Sequence, residues 1–120
     1  MSTSRIRVLV DADIHDAKFG EFEAIAKKMV EVSERESGTL AYHFLLSPDR
    51  KRCRLIEGYT DPAAITAHFA GPAVQELVPQ MMQVATITRM EIYGDPGPQV
   101  AAMAAAFGAE VFTSSEGFDR

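Results

Sequence analysis

The chain contains no tryptophan, one cysteine, and no apolar run approaching the roughly 20 residues that span a bilayer. The single cysteine, Cys53, excludes an internal disulfide and a multi-cysteine metal site. Basic runs are also scarce. The densest, Arg50-Lys51-Arg52, follows Ser47-Pro48-Asp49 and fits a solvated turn. With no basic stripe and a net charge of -5, nucleic acid is not an expected partner. Met1-Ser2-Thr3-Ser4-Arg5 lacks the apolar core of a signal peptide, so the expectation is a soluble cytoplasmic protein that does not use the membrane. What is present is a globular composition, 47% hydrophobic over 120 residues. That is enough for one domain with a core, and small enough to gain from a partner.

The order of patterns reads β-α-β-β-α-β. Ile6, Val8 and Val10 alternate with Arg7, Leu9 and Asp11, the period of a half-buried strand. Asp16 is positioned as an N-cap for a helix over 18–36, whose apolar residues Phe19, Phe22, Ile25, Ala26, Met29 and Val32 recur at steps of three and four. Gly38 is the candidate left-handed C-cap. Residues 39–46 and 53–60 bracket the polar turn as a hairpin. Asp61-Pro62 opens a second helix as N-cap and first helical residue. Gly71-Pro72 interrupts it, and 73–83 resumes it in a short or kinked form because of Pro79. A fourth strand covers 84–93. This order is that of an α+β, ferredoxin-like fold with an antiparallel sheet.

The hairpin is apolar on both sides: Leu40, Tyr42, Phe44 and Leu46 on one, Ala41, His43 and Leu45 on the other, with Leu55 and Ile56 likewise opposed. Helices cover only one face of such a sheet, so the second face calls for a cover, and a sheet-to-sheet homodimer supplies one. Residues 1–95 make the domain and 96–120 an extension, packed on the same domain or on the partner subunit. Within it, 98–107 is alanine-rich and helical with Gly108 as its stop, 109–113 is a short fifth strand, and 114–120 is a loose end.

His68 is the first candidate for chemistry. It lies three and four residues from Ile65 and Ala64, on the helix side that faces the sheet. There it either orients a phenol and takes its proton, or is a buried histidine that pins helix to strand. Glu57 interrupts an apolar strand and needs a partner such as Arg89 or His68. It reads as a structural ion pair or as an acid with a raised pKa. Tyr42 phases with the helices and His43 with the opposite face. Asp11, Asp13 and His15 share a strand face, yet without a fuller ligand set they read as a strand end, and no metal is expected.

Two segments carry a resemblance. Glu36-Ser37-Gly38-Thr39-Leu40-Ala41-Tyr42 and Glu57-Gly58-Tyr59-Thr60-Asp61-Pro62-Ala63-Ala64-Ile65-Thr66-Ala67-His68 resemble the signature of the antibiotic biosynthesis monooxygenase family, small dimeric α+β proteins that include cofactor-free quinol oxygenases. The resemblance implies a dimeric α/β barrel and a cavity between helix and sheet for a planar aromatic substrate. In it His68 and Glu57 are the catalytic candidates, and Tyr59, Tyr42, Leu55, Phe22 and Phe69 the substrate-binding walls. It implies a monooxygenase acting without cofactor on a quinol or polycyclic phenol. A non-catalytic ligand-binding or stress-response dimer, and an isomerase or decarboxylase, are the alternatives. The haem-degrading branch uses an asparagine on the first strand, a tryptophan in the second helix and a histidine ligand. Asp11 or Asp13, His68 and Val78 stand near those positions, and none matches.

Overall fold

The computed structural model describes residues 5–120. Five strands form one sheet in the order β2-β3-β1-β4-β5, with β1 at Ile6–Ile14, β2 at Thr39–Leu46, β3 at Arg52–Tyr59, β4 at Ala85–Tyr93 and β5 at Glu110–Phe112. The first four pair antiparallel in the ferredoxin-like arrangement. β5 joins β4 in parallel, which a crossover makes possible, and α4 at Pro98–Ala105 provides it. The helices α1 (Phe19–Glu34), α2 (Pro62–Ala70) and α4 cover one face of the sheet.

Alternation places Ile6, Val8, Ala12 and Ile14 of β1 and Cys53, Leu55, Glu57 and Tyr59 of β3 on the covered face, all buried. A bulge at Thr88 breaks the alternation of β4, because Asp11 pairs with Arg89 while Ala12 pairs with Ile87. The extra residue lets Ile87 and Met90 face the same side. A second irregularity, between Thr39 and Ala41, takes Leu40 out of phase with Tyr42 and Phe44 and leaves it 49% exposed.

Two local expectations change and a third is refined. Asp16 is not the cap of α1: the helix starts at Phe19 from Lys18, without a side-chain cap, after a turn in which Ala17 takes a φ of 63°. Gly38 is not a left-handed cap either, since α1 ends at Glu34 with Arg35 in helical conformation. Its glycine is needed for a different reason, because a Cβ there would lie 2.5 Å from the Ala64 Cβ of α2. The continuation after Gly71-Pro72 is short, as Pro79 leads one to expect, but it is also widened. A π-helical turn at Ala73–Leu77 precedes α3, Val78–Met81, with the Val78 amide donating to the Ala73 carbonyl. Widening the turn relieves the crowding that a proline ring imposes on the preceding helical carbonyl.

Other starts and stops follow the sequence. The Asp61 carboxylate accepts from the Ala64 amide at 2.8 Å, capping α2. Gly108, at φ 74°, closes α4: its amide donates to the Ala105 carbonyl and the Ala109 amide to the Ala104 carbonyl. Val100 and Ala104 of α4 are wholly buried against Ile6, Val8, Tyr59, Ile65 and Ile92. Burial of a side chain such as Val100 contributes about 1.5–3 kcal/mol, which ties the tail to the domain core. Among the described residues, no helix is long and apolar enough to cross a membrane.

Candidate active site

Between the covered face and the helices lies a cavity of about 80 Å³. Its walls are apolar: Val10, Phe44 and Leu55 from the strands, Phe22 and Met29 from α1, Phe69 from α2, and Val78, Met81 and Met82 around α3. Its polar boundary consists of Tyr42, Glu57 and His68. A space of this size is about half the roughly 150 Å³ that admits a benzene-sized guest, so a larger ring system requires movement of the walls.

Glu57 is 5% exposed and does not pair with Arg89, which lies on the opposite face with Asp11 and Glu91. The strand alternation that sends Glu57 inward sends the register partners Asp11 and Arg89 outward. The partners of Glu57 are instead Tyr59, whose hydroxyl donates to Glu57 Oε1, and His68, whose Nε2 lies 4.0 Å from the same oxygen. Burial raises the Glu57 pKa, while His68 and the Tyr59 hydroxyl act in the other direction. The net effect shifts Glu57 toward its neutral form relative to an exposed carboxyl. Tyr59 is wholly buried in the adjoining core and does not border the cavity; burial and the neighbouring Glu57 raise its pKa. Its hydroxyl is used in holding Glu57.

His68 is 1% exposed, and its Nδ1 sits 2.7 Å from Glu36 Oε1, an oxygen that also accepts from Thr39 Oγ1 at 2.8 Å. The rings of Tyr42 and Tyr59 stack obliquely against His68 with centroids at 5.2 Å and 5.3 Å. Burial raises the Tyr42 pKa strongly, with Glu57 adding to it. The buried Ser33 hydroxyl on α1 lies near enough to favour the ionised phenol, though it makes no hydrogen bond of good geometry. Cys53 borders the cavity as a thiol that burial, with Asp11 beyond it, pushes up to about 11.

The structure thus brings Tyr42, Leu55, Glu57, His68, Phe22 and Phe69 to one cavity and sets Tyr59 behind it. His43 is exposed on the other face. Asp11 is held by Arg54, and His15 is bonded to Thr86 at 2.7 Å. Two contributors were not anticipated from sequence. Glu36 belongs to the turn after α1, and Phe107 reaches the cavity from the end of α4. The hint for Glu36 was Gly38 two residues on, a mark of close backbone approach.

Comparison with solved structures gives the same architecture. MupZ from Pseudomonas fluorescens superposes with a TM-score of 0.84 at 20% identity, over 100% of this chain and 92% of that one. A putative antibiotic biosynthesis monooxygenase from Nitrosomonas europaea gives 0.69 at 22% identity, over 82% and 96%. SnoaB, a cofactor-independent oxygenase from Streptomyces nogalater, gives 0.68 at 16% identity, over 80% and 97%. At these identities the likeness is one of fold. No curated protein matches the sequence significantly. A family profile described as antibiotic biosynthesis monooxygenase matches residues 5–80, and the chain belongs to that family.

Proposed function

We propose that the protein is a cofactor-independent monooxygenase of a quinol or related phenolic substrate, working as a homodimer. The observation that carries this reading is the polar boundary of the cavity. An imidazole and a buried acid meet there in an otherwise apolar enclosure that also contains a phenol. Membership of the family and the fold shared with SnoaB support it.

The chemistry follows from these groups. His68 Nε2 takes the phenolic proton, and the electron-rich ring then donates to oxygen, forming a carbon–oxygen bond and a hydroperoxide. Cleavage of the O–O bond releases water and leaves a carbonyl, so the substrate supplies every electron and loses two hydrogens. Glu57, whose pKa burial raises, is the donor to the departing oxygen. Tyr42 orients the substrate oxygen, and Leu55, Phe22 and Phe69 exclude water. Entry of a ring system displaces the outer wall at Val78, Met81 and Met82, where flexible methionines adapt to shape. The exposed Ala41, His43 and Leu45 on the other face supply the surface between the two copies.

The test is oxygen consumption with a reduced naphthoquinol, with and without protein and with and without air. Protein-dependent oxidation that His68→Ala lowers by about a hundredfold is expected, the scale of general base catalysis. Equal rates with and without protein would overturn the reading. Thermal stabilisation by quinols without turnover would instead identify the non-catalytic binding alternative. A second reading, proton-transfer catalysis without oxygen, has the same acid and imidazole in its favour. Its mark is substrate isomerisation or decarboxylation that persists anaerobically.

A further inference from the structure

Glu36 has no part in walling the cavity, yet it makes the shortest polar contact of His68, at 2.7 Å. We infer that Glu36 is a positioning residue that holds the His68 proton on Nδ1, leaving Nε2 as the acceptor turned toward Glu57 and the cavity. It is also the outlet through which His68 exchanges protons with solvent. This inference deepens the proposed proton-transfer role of His68 and rests on it for its catalytic consequence.

Several observations converge. The same Glu36 oxygen receives the Thr39 hydroxyl at 2.8 Å, and the Thr39 amide donates to the Glu36 carbonyl at 3.1 Å, so the turn after α1 holds the carboxylate in place. That turn reaches α2 only because residue 38 has no side chain; a Cβ there would overlap Ala64. The opposite ring nitrogen faces Glu57 Oε1 at 4.0 Å, too long for a hydrogen bond but within a small side-chain movement of one. Along the series Glu36–His68–Glu57 the side-chain exposures are 23%, 1% and 7%. Only the Glu36 end of this series meets water appreciably. The titratable groups facing His68 are Glu36 from the turn, Tyr42 from β2, and Glu57 and Tyr59 from β3. A carboxylate on Nδ1 fixes the tautomer, as in other carboxylate–imidazole pairs.

The test is a nitrogen-15 spectrum of the full chain labelled at its histidine rings, recorded at pH 8. The expected result is a His68 ring protonated at Nδ1 and bare at Nε2. In Glu36→Gln, whose amide can donate as well as accept, the proton should move partly or wholly to Nε2. A wild-type ring protonated at Nε2, or at both nitrogens, overturns the inference, as does an unchanged tautomer in the variant. The wild-type spectrum decides even where the variant fails to fold. Where quinol oxidation is observed, Glu36→Gln should lower kcat roughly tenfold or more with KM little changed, and shift the pH profile of kcat. Glu36→Asp should recover part of that loss; its failure to do so with a folded chain overturns the positioning role. The spectrum needs no turnover, so absence of oxidation sinks the oxygenase reading alone, and the wrong tautomer in an active enzyme sinks this inference alone.

Discussion

Glu57 and Asp11 stand on neighbouring strands of one sheet, and the sheet drives their ionisation in opposite directions. Asp11, on the uncovered face, is held low by a two-pronged hydrogen bond from Arg54 at 2.7 Å and 3.0 Å, with further help from the charge of Arg89. Glu57, on the covered face, is raised because burial removes its water and no cation replaces it except what His68 can provide. The same carboxyl group is thus pushed toward its ionised form on one face and toward its neutral form on the other. The side of the sheet, set by a one-residue step in alternation, decides which.

That contrast can be broken from the covered side first. Tyr59→Ala empties a wholly buried ring position and removes the donor to Glu57, so it should cost about 3–5 kcal/mol in urea unfolding. Tyr59→Phe keeps the ring and deletes only the hydroxyl. It should cost about 1–3 kcal/mol, since the buried carboxyl is left short of a partner. Thiol-free contexts are unnecessary for either measurement, because Cys53 is the only cysteine.

The pH dependence sharpens the comparison. Folding raises the Glu57 pKa above its ordinary value of 4.5, so between those two values the native chain keeps a proton that the unfolded chain has released. Its stabilising contribution is complete below the ordinary value and is lost as pH rises through the raised one. Glu57→Gln should therefore flatten the decline of unfolding free energy between acid and neutral pH. Asp11 has the reverse sign, its contribution appearing above its ordinary value of 3.8 and vanishing as pH falls. An unfolding series from pH 3 to 8 on both variants separates the two slopes.

The smallest effect belongs to the uncovered face. Asp11→Asn should cost about 0–1 kcal/mol, because solvent screens a pair whose carboxylate is 22% and guanidinium 49% exposed, and added salt should reduce it further. A cost above that of Tyr59→Phe would mean that this face is shielded from water, and sedimentation of the same variant would then show whether a second copy is the shield.

The elements were legible where one local signal sufficed. Asp61 followed by Pro62 specified the start of α2, and the spacing of Phe22, Ala26 and Met29 specified the buried side of α1. The tail was legible as helix, stop and strand because Gly108 terminates an alanine-rich run. Its contact with the cavity through Phe107 was not, since that depends on where the crossover sets α4. Asp16 looked like a cap by residue type, but the turn at Ala17 delays the helix past its reach. Arg89 looked like a partner for Glu57 by charge, and the bulge at Thr88 shows why counting along β4 misleads: alternation changes phase within the strand. Glu36 stayed hidden because its partner is 32 residues away, a distance that only the approach of the α1–β2 turn to α2 closes.

Of the six methionines in the chain, Met29, Met81, Met82 and Met90 border the cavity. Thioethers oxidise readily to sulfoxides. If the proposed oxygen chemistry takes place in the cavity, activated oxygen that escapes its target meets these sulfurs in the walls. The walls would then be a chemical logbook: the sulfoxide content of those four positions after turnover would count the misfires of the proposed reaction.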